Sequence, residues 1–409
     1  MRVKLSIFLF LLIAATSLAQ TSATLPKIRA VTAFIQLDRS SYQVQINETL
    51  IKLRQAKAAF EQRGYEVQSI RITTQPFPHY VRGLSKEQAL AFFRDYDALA
   101  RKENFDASIG PAMLAPANDS ASAELLAEIL SSTTGLEGSI VVAAEDGVRW
   151  NAVRAAALLM KYVEAHTTHS LGNFNFAATA MLPPHAPFYP GSYHDDGGDE
   201  FAVGMQSANV VAAAFASASD PTAAGKALET ALGDHARKVE EIARQIEAKT
   251  GWKYMGLDLS PAPLKDVSIG AAIETLTHAR FGSSGTMTAV ATITSVLRSL
   301  PVQHTGYSGL MLPILEDSRL AQRWSEGKLS VDDMLAYSAV CGTGLDTIPL
   351  PGDASQQQLE KMIGDMATLA VKLHKPLSAR LLPVADKKPG DRTEFDDPFL
   401  VNATLQPLP

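Results

Sequence analysis

The chain has 409 residues, of which 46% are hydrophobic and 20% are charged, and its formal net charge is −6. This composition is too apolar for a disordered chain and too mixed for a bundle of membrane helices. The acidic balance argues against a nucleic-acid partner, because phosphate binding needs a basic surface, and the lone cysteine excludes an internal disulfide and a cysteine-rich metal site.

The first predicted element is a secretory signal peptide. Arg2 and Lys4 supply a basic start, residues 5–15 form an apolar run, and Ser17 and Ala19 place small side chains at the two positions that a signal peptidase recognises. A membrane anchor is disfavoured because this run, at about 1.5 Å per residue, is too short to cross a hydrocarbon core about 30 Å thick. We therefore expect cleavage after Ala19 and an exported protein, secreted or periplasmic, without a membrane helix in residues 20–409.

Strands and helices alternate over the first half of the mature chain. Apolar, β-branched runs predict strands, and apolar residues spaced by three or four predict helices. The predicted strands are 28–36, 65–73, 107–109, 139–144 and 175–182, and the predicted helices are 45–64, 85–102, 121–130 and 150–165. Ser85 and Gln88 have the spacing of a capping box at the start of the second helix.

The alternation continues in the second half. Strands are predicted at 201–205, 254–259 and 377–382, and helices at 222–250, 286–300, 320–325, 331–340 and 356–373. Strands that alternate with helices form mostly parallel sheets, because parallel neighbours need crossover connections. We therefore expect residues 20–409 to form one large α/β domain, with its functional residues on loops at the ends of the strands.

The longest irregular stretch is a loop at 183–198, rich in Pro, His and Gly. Its end, His194 to Glu200, contains one imidazole and four carboxylates within seven residues. Clustered oxygen ligands suit hard cations, and Gly lets the chain fold back to present them. The segment is therefore interpreted either as a loop that binds a metal or a cationic ligand, or as a solvated acidic turn. His194 and Glu200 are its best candidates because they lie at its entry and exit.

Three other segments carry candidate functional residues. Ser284, Gly285 and Thr286 precede a helix, where they form either an anion site or an ordinary helix cap. Cys341, before a Gly-rich turn, is either a reactive thiol or a small buried hydrophobe. Asp258, at the end of a predicted strand, lies either on a functional rim or in a turn.

The sequence resembles an uncharacterised family, the domain-of-unknown-function family numbered 711. The likeness covers residues 27–400 and is carried by the segments 256–260, 313–317 and 341–353, with a fainter match at 187–194. It implies a fold similar to that of the glycyl-radical enzymes, a closed α/β barrel of about ten strands with helices outside and a loop inserted into its centre. It also implies functional roles for the shared positions, which are His194, Asp258, Gly285, Thr286, Cys341, Asp346 and Asp353, and an acidic role for Glu200.

Radical chemistry is not expected, because the C-terminus lacks an Arg-x-x-Gly-Tyr segment and the chain lacks a cysteine pair. The first functional hypothesis is an exported enzyme with a polar pocket for a small anionic substrate. His194 and Asp258 or Glu200 would exchange protons, the 284–286 turn would bind the anion, and Cys341 would be a nucleophile or a pocket wall. The alternative is a non-catalytic protein that binds a small molecule or a metal. The sequence leaves the cofactor, the metal and the oligomeric state open.

Overall fold

The fold is organised around one mixed sheet of ten strands. A computed structural model describes residues 25–116 and 120–408, so the predicted signal peptide lies outside the described residues. The strands are β1 (Lys27–Ile35), β2 (Val67–Thr74), β3 (Asp106–Pro111), β4 (Leu136–Ala144), β5 (Gly147–Val148), β6 (Phe176–Ala180), β7 (Glu200–Gln206), β8 (Lys253–Asp258), β9 (Gly344–Pro351) and β10 (Leu377–Val384).

Helices connect most of these strands and share one hydrophobic core with them. They are α1 (Tyr42–Glu61), α2 (Lys86–Glu103), α3 (Ala121–Ser132), α4 (Trp150–His166), α5 (Ala208–Ala216), α6 (Pro221–Thr250), α7 (Ile269–Thr277), α8 (Thr286–Ser299), α9 (Ser318–Ser325), α10 (Val331–Ser338) and α11 (Gln356–Leu373), with short 3-10 helices at Phe77–His79 and Thr168–Asn175. Across the described residues, no helix combines the length and the apolar character that a bilayer crossing requires.

The strand order divides the sheet into two groups of opposite direction. The order is β8-β7-β1-β2-β3-β4-β6-β10-β9, with β5 paired to β4. Strands β1, β2, β3, β4 and β6 are parallel to one another. On either side of them, β7 and β10 run antiparallel, and each pairs in parallel with its outer neighbour. The prediction of a mostly parallel α/β domain is therefore confirmed.

Local sequence signals explain most of the element boundaries. Ser85 accepts a hydrogen bond from the backbone of Gln88, and the Gln88 side chain bonds back to the Ser85 N–H, which confirms the capping box at the start of α2. Strand β9 was not predicted because Pro349 and Pro351 lack the N–H that a ladder uses. These prolines are tolerated because, among the described residues, β9 pairs only with β10, at the end of the sheet. Helix α5 was not predicted, because it is almost entirely apolar and so lacks the alternation of apolar and polar residues that indicates a helix.

The two ends of the sheet, β8 and β9, do not pair with each other among the described residues, so the closed barrel stays a prediction. A segment at 303–316 contacts both ends. Leu257 of β8 donates its N–H to Gln303 O at 2.7 Å, and Thr305 donates to Leu257 O at 3.3 Å. Ile314 donates to Asp346 O of β9 at 3.0 Å, and Gly342, just before β9, donates to Leu310 O at 2.6 Å. Segment 303–316 thus lies between the two edge strands.

Gly309 of this segment and Gly342, just before β9, approach each other so closely that adding one methyl group tests the contact. A Cβ added at Gly342 would lie 2.4 Å from the carbonyl carbon of Gly309. We expect Gly342→Ala to lower the free energy of unfolding by about 1–3 kcal/mol, because the backbones must separate. Gly198→Ala is the control, since a Cβ there meets nothing within 4 Å. Urea unfolding of both variants measures the difference, and equal stability would contradict the contact.

Candidate functional site

A cavity of about 740 Å³, here called the charged cavity, is bounded by the starts of the central parallel strands and by segment 303–316. Its wall carries an unusual number of ionisable side chains. The cations are Arg29, Arg54, Lys57, Arg71 and Arg380, and the acids are Glu103, Asp106, Glu137, Glu316, Asp346 and Asp397. A cavity of this size matches the volume of small-molecule sites, which is about 300–1,000 Å³.

The strand register brings these charges together. Arg29 and Glu137 occur near the starts of β1 and β4, and Arg71 lies in the middle of β2. In the sheet, Arg71 lies opposite Asp106, and Glu137 lies opposite Ser108. Since alternate side chains of a strand share a face, one charged residue in each strand can point into the cavity while its neighbours pack against the helices.

Three guanidinium groups are held against aromatic rings in the cavity wall. Arg29 lies 4.9 Å from the ring centroid of Phe399, Arg71 lies 4.6 Å from that of Tyr189, and Arg380 lies 4.6 Å from that of Phe174. Stacking on a ring fixes the plane of a guanidinium and leaves its N–H edge available for carboxylates or phosphates.

Each of these arginines also has polar partners. Arg71 Nε donates to Asp106 Oδ2 at 3.1 Å, and its Nη1 donates to Pro187 O at 3.2 Å. Arg380 Nη1 lies 3.0 Å from Glu316 Oε1 and 3.1 Å from Asp346 Oδ1. Arg380 Nε, in contrast, is buried and has no hydrogen-bond partner among the described residues. The arginines are therefore anchored without using all of their donors.

Glu137 is the acid whose environment best suits proton transfer. Burial raises the pKa of its carboxyl to about 7, although the charges of Arg71, Arg380 and Arg29 act in the opposite direction. Within residues 25–116 and 120–408, neither a hydrogen bond nor an ion pair occupies this carboxyl. A carboxyl that titrates near neutral pH and faces a cavity is suited to act as a general acid or base.

Asp346 is the one sequence-predicted ligand-binding residue that lines the charged cavity. Burial raises the pKa of its carboxyl to about 6, against the opposing effect of Arg380. Arg29, Arg71, Glu137 and Arg380 were not predicted from the sequence. The signal that marks Arg29, Arg71 and Arg380 is a charged residue inside a predicted strand, since burying a charge is costly unless it is paired.

A second group of polar side chains lies at the opposite end of β1, where Phe34 pairs with Glu200 at the start of β7. His185, His194, Asp195 and Glu200 form this His–carboxylate cluster, and one potential ligand atom of each lies within 4.8 Å of the others. His185 Nε2 is 2.6 Å from Glu200 Oε2, 3.3 Å from His194 Nδ1 and 3.4 Å from Asp195 Oδ1. The structure thus brings together His194 and Glu200, two of the sequence-predicted site residues, and adds His185 from the start of the same loop.

The remaining predicted residues are engaged elsewhere. Asp258 is buried, and it accepts hydrogen bonds from the backbone N–H groups of Ser260, Tyr307 and Ser308, which fix the turn at 306–309. Burial raises the pKa of the Asp258 carboxyl, and these hydrogen bonds act in the opposite direction. The contacts described for His194, Asp258 and Cys341 do not join any two of the three within the described part of the chain.

Neither Cys341 nor the 284–286 turn is among the residues that line the charged cavity. Cys341 is fully buried in the hydrophobic core, where its carbonyl oxygen accepts a hydrogen bond from Lys375 Nζ at 2.5 Å. Thr286 is buried at the start of α8, and its Oγ1 accepts a hydrogen bond from Gly282 N at 3.1 Å. Ser284, Gly285 and Asp353 are exposed. Their roles in ligand binding stay predictions.

Comparison with known proteins gives a consistent family match. A family model described as "Uncharacterised ACR (DUF711)" matches residues 21–396, which include the His–carboxylate cluster and the residues of the charged cavity wall other than Asp397 and Phe399. A UPF0210 protein from Pyrobaculum islandicum is 32% identical over 386 residues, which cover 90% of this chain and 84% of that protein. A UPF0210 protein from Pyrobaculum aerophilum is 32% identical over 371 residues, 86% of this chain and 81% of that protein. The family resemblance seen in the sequence is thereby confirmed.

The raised pKa of Glu137 predicts how stability depends on pH. Between about pH 4.3, the usual pKa of a Glu in an unfolded chain, and pH 7, the folded protein keeps a proton that the unfolded chain has released. The free energy of unfolding therefore falls as pH rises through this window. Glu137→Gln removes the titration, so we expect the variant to gain stability relative to the parent between pH 5 and pH 8, by about 3 kcal/mol at most.

Urea unfolding of the variant and the parent at pH 5 and at pH 8 measures this gain in the free energy of unfolding. Glu229→Gln is the control, because Glu229 is exposed on α6, far along the chain from the cavity wall. If the difference in the free energy of unfolding between Glu137→Gln and the parent does not change with pH, the raised pKa of Glu137 is contradicted.

Proposed function

We propose that this chain, which belongs to the uncharacterised DUF711 family, is an exported protein that binds a small anionic molecule in the charged cavity and transforms it by general acid–base catalysis at Glu137. The observation that carries the proposal is the convergence of three ring-stacked arginines and one unpaired carboxyl on the same cavity. Export rests on the basic, apolar and small-residue segments of residues 2–19.

The arginines support an anionic ligand. A guanidinium presents its N–H groups as a planar fork that matches a carboxylate or a phosphate, and such charge-assisted bonds are stronger than neutral ones. Arg71 and Arg380 are fixed at one edge by Asp106, Glu316 and main-chain oxygens, so their remaining donors are oriented before a ligand arrives. Preorganised donors of this kind lower the entropy cost of binding.

Glu137 supports catalysis rather than binding alone. Efficient general acids and bases have a pKa near the working pH, and the burial of Glu137 gives it a pKa of about 7. A residue that served only to bind an anion would be expected to carry a positive charge or a neutral donor, because a carboxylate repels the ligand. Glu137 would therefore exchange a proton with a ligand whose charge is held by the arginines.

The closed barrel, similar to that of the glycyl-radical enzymes, is part of the same proposal. Segment 303–316 would complete the closure between β8 and β9, and it carries Tyr307, Met311, Pro313 and Glu316 into the cavity wall. In this arrangement it would be the loop inserted into the centre that the family resemblance implies. Asp258 would act indirectly, by fixing the turn at 306–309.

The alternative function is non-catalytic binding. It is favoured by the extent to which the cavity charges already compensate one another, as in the contacts of Arg380 with Glu316 and Asp346. Both functions need Arg71, but only catalysis needs a titrating group at position 137. Glu137→Gln separates them, because it abolishes turnover in the first case and preserves or strengthens anion binding in the second.

Removal of Arg71 tests the anion site. Purified protein of residues 20–409 would be titrated with inorganic phosphate, succinate and citrate by calorimetry, and native and denatured masses would be compared for a co-purified anion. We expect Arg71→Met to weaken the binding of at least one probe by about 10-fold or more, since a hydrogen bond to a charged group contributes about 1.5–3 kcal/mol.

Arg54→Met is the matched control, because the Arg54 side chain is half exposed and pairs with Glu103 at the rim. Equal weakening by both substitutions would indicate only a general loss of positive charge. No excess mass and no heat with any of the probes would count against an anion site.

The predicted export has its own measurement. When the full chain is expressed with its natural leader in a bacterial host, we expect the mature protein to begin at Gln20, because Ser17 and Ala19 supply the small residues before the cleavage point. N-terminal sequencing of the periplasmic or secreted fraction gives the result. Protein that keeps residues 1–19 and stays in the cytoplasm would contradict export.

A further inference from the structure

We propose that the His–carboxylate cluster, His185, His194, Asp195 and Glu200, binds one divalent transition-metal ion and that this ion fixes the loop between residues 185 and 200. The site lies at the opposite end of β1 from the charged cavity, and its existence does not depend on the proposed function of that cavity. Three features of the cluster support an ion there: the spacing of the ligand atoms, a buried oxygen without a hydrogen-bond partner among the described residues, and the donor types.

The spacing of the four atoms fits a single ion. A tetrahedral ion with bonds of about 2.0–2.1 Å places its ligand atoms about 3.3 Å apart. In the cluster, His185 Nε2 lies 3.3 Å from His194 Nδ1 and 3.4 Å from Asp195 Oδ1. His194 Nδ1 lies 3.7 Å from both Asp195 Oδ1 and Glu200 Oε2. The pair formed by His185 and Glu200, at 2.6 Å, would have to open by about 0.7 Å to reach this spacing.

An unpartnered carboxylate oxygen points into this space. Glu200 is buried, and its Oε2 has no hydrogen-bond partner among the described residues, although it lies close to both imidazoles. Its other oxygen, Oε1, is held by Lys253 Nζ at 3.3 Å, so the carboxylate is oriented with Oε2 toward the cluster. A buried carboxylate oxygen without a donor is costly unless a cation or a proton satisfies it.

Hydrogen bonds within the cluster cannot give each of its four ligand atoms a good partner. His185 Nε2 faces two carboxylate oxygens and the Nδ1 atom of His194, and one N–H can donate well to only one of them. The other lone pairs would then face each other at short range in a largely buried site. A divalent ion would interact with all four atoms at once, and two carboxylates would balance its charge.

The donor types select the class of metal. Two imidazoles with two carboxylates suit Zn²⁺, Mn²⁺, Fe²⁺ or Co²⁺, whereas Ca²⁺ prefers oxygen ligands alone and Cu⁺ prefers sulfur. The Asp195 side chain is half exposed, which gives an ion a route from solvent. Asp195 Oδ1 also accepts a hydrogen bond from Gly197 N at 3.0 Å, which limits its rotation.

The ion would act on the loop rather than on a substrate. Residues between His185 and His194 form part of the charged cavity wall, because Pro187 O accepts a hydrogen bond from Arg71 and the Tyr189 ring stacks on the same side chain. Fixing both ends of this loop would hold these two contacts in place. The cluster is therefore assigned a positioning role for the cavity wall.

Metal stoichiometry and affinity test the assignment directly. Purified protein of residues 20–409 would be stripped with EDTA, dialysed and titrated with Zn²⁺, with the bound metal measured by native mass spectrometry and by elemental analysis. We expect one Zn²⁺ per chain, a visible absorption band typical of a tetrahedral site when Co²⁺ replaces it, and little competition by Ca²⁺. Hydrogen exchange of residues 185–194 should be slower with Zn²⁺ than without it.

Variants in the same loop provide the controls. Glu200→Gln and His185→Asn should each lower Zn²⁺ affinity by about 100-fold or more, while Asp196→Asn, an exposed carboxylate outside the cluster, should leave it within about 2-fold. Since Glu200→Gln also loses the contact with Lys253, circular dichroism of the metal-free variants checks that they fold. The absence of stoichiometric metal in the parent protein with Zn²⁺, Mn²⁺, Fe²⁺ and Co²⁺ would overturn the proposal. Binding that survives both ligand variants would overturn it as well.

Discussion

The charged cavity depends on the compensation of buried charge. Arg380 is almost enclosed, and an isolated guanidinium in that position would destabilise the sheet by several kcal/mol. Glu316 and Asp346 supply the opposite charges, and the Phe174 ring and carbonyl add two further contacts to the group. Such an arrangement needs residues from β9, β10 and segment 303–316 at once, so the cavity can form only when the end of the sheet and this segment are in place.

Segment 303–316 therefore has two roles that follow from one set of contacts. Its backbone pairs with Leu257 and Asp346 at the two ends of the sheet, while its side chains, Tyr307 and Glu316 among them, complete the cavity wall. The buried Asp258 carboxylate secures the segment by accepting three backbone hydrogen bonds and one from the Ser260 hydroxyl. A hydrogen-bonded carboxylate at a strand end can thus be essential for the architecture of a site without touching a ligand.

Periodicity predicted most elements of this fold, but it did not show which residues meet in the charged cavity. Apolar spacing identifies which residues face a core, so the alternating strands and helices and the capping box at Ser85 followed from sequence. It does not show which strands become neighbours, and the pairing of Arg71 with Asp106 is a matter of register between distant segments. His194 and Glu200 were found because they are close in sequence, whereas the convergence of Glu137 with the arginines has no short-range signature.

The loop between His185 and His194 links the two ends of β1. At one end it supplies both imidazoles of the His–carboxylate cluster, and at the other its Pro187 carbonyl and Tyr189 ring hold Arg71. An ion at the cluster would restrict this loop and so reduce the entropy lost when Arg71 binds an anion. By linkage, an anion on Arg71 would favour the metal-bound loop to the same extent. The two proposed sites therefore need no contact with each other to be coupled, because one short loop contributes to both.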